Sequence, residues 1–135
     1  MTNILKRQTR EESKLLKKNH LFLKSKKLID SIFENGKYFK EYPLSVRFLQ
    51  VNEVNDINFV ISVKKKYLPK AVDRNKIKRL MRNSLRECVE ELKNKISEQK
   101  KSYHIAIIYN SSIIYDFDYL KDKINLILTR LIVDE

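Results

Sequence analysis

Residues 64–86 read KKKYLPKAVDRNKIKRLMRNSLR. Ten lysines and arginines stand here against one acid, Asp73, so the stretch carries +9 of the protein's +12. A run this basic is often no more than a solvated face. This one is interleaved with apolar residues at helical spacing. Pro69 suits a first helical turn, where its missing N–H is not needed, and the pattern predicts one helix from about 70 to 98. At 100° per residue, Ile77, Met81, Ser84, Leu85, Cys88 and Leu92 fall on one arc, the expected core face. Arg74, Lys78, Arg82 and Arg86 form a row beside that arc, with Asn75 and Arg79 adjacent. A rigid row of cations bordering a core asks for a polyanion, and nucleic acid is the first candidate.

Outward from this helix the charge falls away. Residues 1–27 are net +7, whereas 28–63, 87–100 and 101–135 are net −2, −1 and −1. The basic character lies in two blocks, which solubility alone would not require. Residues 1–20 show no convincing apolar period and read as a basic, flexible arm. Residues 21–135 then make a single domain, a length that suits one modest core.

Upstream, Ser25 is placed to cap a short helix over 25–36, with Leu28, Ile29, Ile32 and Phe33 as its apolar stripe. Gly36, the only glycine, is expected as a left-handed stop. Lys37–Lys40 can form a short strand. Leu44–Val51 alternates, with Leu44, Val46 and Phe48 on one face and Ser45 and Arg47 on the other. Ile57–Lys64 alternates likewise, Phe59, Ile61 and Val63 against Val60 and Ser62. A polar turn separates the two, which predicts a β-hairpin. Downstream, 103–110 is a nearly continuous β-branched run, a buried strand. Residues 117–133 return to helical period through Phe117, Leu120, Ile124, Ile127 or Leu128, and Leu131, with Asp116 as cap.

Catalytic chemistry finds little support. His20 and His104 have no partners at metal-ligand spacing. Cys88 falls on the apolar arc and reads as a small hydrophobe, and a single cysteine fits a reducing compartment. Asp116, Asp118 and Asp122 suit a helix start better than a metal. Glu87, Glu90, Glu91 and Glu98 read as a solvated helix face. There is neither a secretory h-region nor an apolar run long enough for a membrane, so the expected location is cytoplasmic.

Residues 71–82, AVDRNKIKRLMR, resemble the arginine-rich motif of the bacterial ribonuclease P protein component. Ala71, Val72, Arg74, Asn75, Lys78, Arg79 and Arg82 match it, and Lys76 stands where the family has arginine. Ser62, Val63, Lys65 and Lys66 match the strand end before it. Leu23, Lys24, Phe33 and Gly36 match the first helix. Three departures stand out: Ile29 at an aromatic position, Val60 at a glycine, and Leu68-Pro69-Lys70 before the motif.

The resemblance implies an α/β (α+β) two-layer sandwich: a central four-stranded sheet packed by three helices, in α-β-β-β-α-β-α order, with a left-handed β-α-β crossover. It implies a non-catalytic protein subunit of ribonuclease P, an endoribonuclease whose RNA subunit removes the 5′ leader of precursor tRNA with Mg²⁺ held mainly by RNA. The implied partners are that RNA, in a 1:1 complex, and precursor tRNA, with no membrane. Lys65, Lys66, Arg74, Asn75, Lys76, Lys78, Arg79, Arg82 and Arg86 would contact RNA. Phe33, Ser45, Arg47 and Ser62 would line the leader cleft, and no residue would be catalytic or bind metal. The alternative is a ribosomal RNA-binding or RNA-chaperone protein with a similar basic fold. A DNA-groove helix lacks a dimerisation segment, and a metal-dependent nuclease acting alone lacks ligands.

Overall fold

The computed structural model describes residues 21–52, 57–98 and 102–134. The basic arm expected over 1–20 lies outside the described residues. The elements are α1 (Lys26–Asn35), β1 (Lys37–Glu41), β2 (Leu44–Val51), β3 (Ile57–Val63), α2 (Ala71–Glu91), α3 (Lys93–Glu98), β4 (Ser102–Tyr109) and α4 (Phe117–Thr129), closed by a π-helical turn over Arg130–Asp134.

The strands form one sheet in the order β1-β2-β4-β3. β1 and β4 both pair antiparallel with β2, and β3 pairs parallel with β4. The predicted hairpin between 44–51 and 57–64 is therefore wrong: β4 separates those strands. The physical reason lies in β4 itself. Every one of its residues is buried, and a strand apolar on both sides belongs in the middle of a sheet. The hairpin that does form joins β1 to β2 through Tyr42 and Pro43, whose peptide bond is cis.

Register sorts the side chains into two faces. Phe39, Val46, Phe48, Ile105, Ile107, Phe59 and Ile61 point one way, onto Ile77, Met81 and Leu85 of α2 and Leu120, Ile124 and Leu128 of α4. This is the main core. Tyr38, Arg47, Ser45 and Ile108 point the other way, and α1 packs on part of that face, chiefly over β2 and β4.

The local expectations for the helices meet four adjustments. Ser25 does cap α1, its hydroxyl accepting from the Leu28 N–H at 3.4 Å. Gly36, however, is extended, with φ −77° and ψ 155°. It is glycine because a Cβ would overlap the Ile32 carbonyl oxygen and stand 3.0 Å from that of Phe48. Pro69 lies before the helix, not in its first turn, since Lys70 is the N-cap residue. The helix also does not run unbroken to 98: Leu92, at φ −100° and ψ 8°, ends α2 and α3 follows. Finally, Glu87 and Glu91 are not merely solvated. They hold Lys121 of α4 at 3.3 and 2.7 Å, and their hydrogen bonds raise the lysine's pKa. As expected, Asp116 caps α4 through the Tyr119 N–H at 2.9 Å.

Candidate RNA-binding surfaces

The first surface is built by α2. Its arginines, lysines, leucines and methionine favour helix, and Ile77, Met81, Ser84, Leu85 and Cys88 are buried as the periodicity predicts. Burial pushes the Cys88 thiol up to about 11, with Glu91 adding to the effect. A thiol so protonated is a poor nucleophile, which agrees with a core role. Anchored by this face, Asn75, Lys76, Arg79, Arg82 and Arg86 are exposed and Arg74 and Lys78 half-buried. Lys65 and Lys66 stand exposed in the turn that precedes the helix.

The cations are not equivalent. Lys76, Lys78, Arg79 and Arg82 form no ion pair among the described residues, and Glu87 and Glu91, further along the same helix, pair with Lys121 of α4 instead. The charge of these four cations is uncompensated. Arg86 instead lies over the Phe22 ring, 5.3 Å from its centroid, and donates to Asn83 Oδ1 at 3.2 Å. Arg74 turns back to donate to the carbonyls of Leu68 and Pro69, at 3.0 and 2.6 Å. Lys70 offers no side-chain cap, so Arg74 ties down the chain entering the helix. Arg74→Ala should therefore lower stability by about 1–2 kcal/mol in urea denaturation, whereas Arg79→Ala should stay within about 0.5 kcal/mol of the parent. Equal stability of the two variants would contradict this division.

The second surface is a cleft of about 570 Å³ on the opposite face of the sheet. Phe33 of α1 overhangs it, Arg47 and Ser45 of β2 form its floor, and Lys40 and Lys64 flank it. Ser45 is buried and accepts a hydrogen bond from Asn110 Nδ2. Three of the four expected cleft residues thus come together. Ser62 does not: it lies beyond Ile108, the residue that both serines face in register, and is not part of the lining. The intervening β4 is what displaces it. Tyr38, Tyr42, Tyr67 and Asn110, which the sequence patterns leave unmarked, also line the cleft. The alternation of Lys37–Lys40 carried the signal for Tyr38, because pairing with β2 puts it on Arg47's face.

No group of three or more His, Cys, Asp or Glu is placed to hold a metal ion among the described residues. Nor is any helix among them long and apolar enough to cross a membrane.

Known proteins agree with this architecture. A model of the ribonuclease P family matches residues 16–132. The ribonuclease P protein component of Porphyromonas gingivalis strain W83 is 31% identical over 119 residues, which cover 87% of this chain and 85% of that protein. A Staphylococcus aureus RNase P protein mutant with defective mRNA degradation activity shares the fold at a TM-score of 0.66 and 21% identity, covering 89% of this chain and 95% of that one. The Thermotoga maritima RNase P protein superposes at 0.62 with 26% identity, over 80% and 94% of the two chains. The match across nearly the whole length decides between a ribonuclease P protein and a ribosomal or chaperone protein. The chain belongs to the ribonuclease P protein family, whose role is processing of the tRNA 5′ end.

Proposed function

We propose that this chain is the non-catalytic subunit of its ribonuclease P, with α2 docking the catalytic RNA and the cleft receiving the single-stranded 5′ leader of precursor tRNA. The observation that carries the reading is the uncompensated set Lys76, Lys78, Arg79 and Arg82 on a helix whose other side is buried. Guanidinium groups bond phosphate oxygens in pairs, and a rigid helix presents them to successive phosphates with the backbone already ordered. Lys76 supplies charge without that fork. Lys65 and Lys66 extend the positive surface, and Arg74 and Arg86, partly engaged within the protein, mark its two ends.

In this reading Mg²⁺ is held mainly by RNA and the cleavage step belongs to RNA. The protein reduces repulsion between two polyanions, in a 1:1 complex in the cytoplasm. Purified protein alone should not cleave precursor tRNA. Added to its cognate catalytic RNA at low Mg²⁺, it should raise cleavage by roughly tenfold or more, an effect that weakens with salt as phosphate contacts do. Unchanged cleavage on adding the protein would overturn the proposal.

A further inference from the structure

Tyr38 and Arg47 stand directly opposite each other in the β1–β2 register, so their side chains leave the same face of the sheet. The Arg47 guanidinium carbon lies 5.1 Å from the Tyr38 ring centroid and 6.0 Å from that of Phe33. Both rings are open to solvent, Tyr38 at 48% and Phe33 at 39% exposure, and neither belongs to the hydrophobic core. Arg47 forms no ion pair among the described residues. Two exposed rings and a cation that serves no acid thus stand together on the wall of the cleft, where a ligand can reach them. A guanidinium is planar and weakly hydrated, so its face stacks on a ring or a nucleobase while its edge N–H groups stay free for phosphate.

We propose that Tyr38 and Arg47 act as one stacking unit for a nucleobase of single-stranded RNA in the cleft, with Tyr38 as the positioning residue that holds the guanidinium flat. This rests on the leader reading of the cleft and adds to it a residue and a mode of contact. Lys40 and Lys64, at the flanks of the cleft, supply charge for the backbone of the same strand. Every base has a π-face, so the contact tolerates any leader sequence.

The test uses the protein assembled with its cognate catalytic RNA, and compares affinity for precursor and mature tRNA. Tyr38→Ala should weaken precursor binding by roughly tenfold and leave mature tRNA unchanged, while Tyr38→Phe retains parent affinity. The Tyr38→Ala, Arg47→Ala double variant should bind no worse than Arg47→Ala alone. A precursor whose leader nucleotides are all abasic should be insensitive to Tyr38→Ala. Additive losses, failure of Tyr38→Phe to rescue, or continued sensitivity with the abasic leader would overturn the inference. The leader reading would survive those results provided Phe33→Ala still weakens precursor selectively. If Phe33→Ala, Tyr38→Ala and Arg47→Ala all leave precursor affinity unchanged, both fail together.

Discussion

Gly36→Ala should cost the fold roughly 3 kcal/mol, toward the upper end of what overpacking a tight site does. The reason is not backbone freedom, since residue 36 occupies an extended conformation open to any amino acid. Two backbone carbonyls crowd the place a side chain would take. The Gly36 N–H bonds the Ile32 oxygen at 2.8 Å, closing α1, and the Phe48 carbonyl of β2 stands beside the same position. An added methyl would meet both, and neither is a flexible side-chain end that can move aside. Relief would require α1 to lift from the sheet, opening the cleft that Phe33 overhangs. Urea denaturation should show a lower midpoint at similar slope. A shift equivalent to less than about 0.5 kcal/mol, the usual scale of a surface substitution, would show that α1 adapts without strain.

The largest expected effect on binding is that of Arg79→Ala combined with Arg82→Ala. Each arginine is exposed and unpaired among the described residues, so removing both leaves the core of α2 untouched. Each lost charge-assisted contact is worth on the order of 1.5 kcal/mol. Affinity for the catalytic RNA should therefore fall by about 100-fold. The plot of log affinity against log salt should become shallower by roughly two units, one for each phosphate contact removed. Titrations at several salt concentrations measure both quantities, and circular dichroism should show unchanged helicity. Unchanged affinity would remove α2 from the docking surface, and lost helicity would make the two arginines structural.

What the sequence disclosed was mostly local. The Ser25 and Asp116 caps, the buried arc of α2 and the apolar run of β4 each follow from residues within a turn or a strand of one another. The order of the sheet does not. β2 and β3 alternate in the same way whether they neighbour each other or flank a third strand, so their patterns cannot name their partners. The unbroken burial of β4 was the available sign that a third strand lies between them. The cleft was half legible for the same reason. Phe33, Ser45 and Arg47 follow from one helix stripe and one strand alternation, whereas Tyr38 and Asn110 arrive only through pairing with β2. Arg74 shows a different limit: its place in the basic row is periodic, but its engagement with the Leu68 and Pro69 carbonyls depends on how the preceding turn folds.

The central position of β4 also sets an order of events in synthesis. Ser45 and Asn110, which meet across β2 and β4, are 65 residues apart in sequence. Until Ser102–Tyr109 has emerged, β2 and β3 each lack the neighbour that joins them, and the sheet stays in two parts. The basic helix lies wholly between β3 and β4 in the chain, so it is made before the core that fixes its buried arc is complete. Such distant pairings slow folding, because loop closure must precede the contacts that reward it. A growing chain thus carries its most positive segment while its sheet is still open. An RNA that binds α2 in the folded state would favour that state once the sheet has closed.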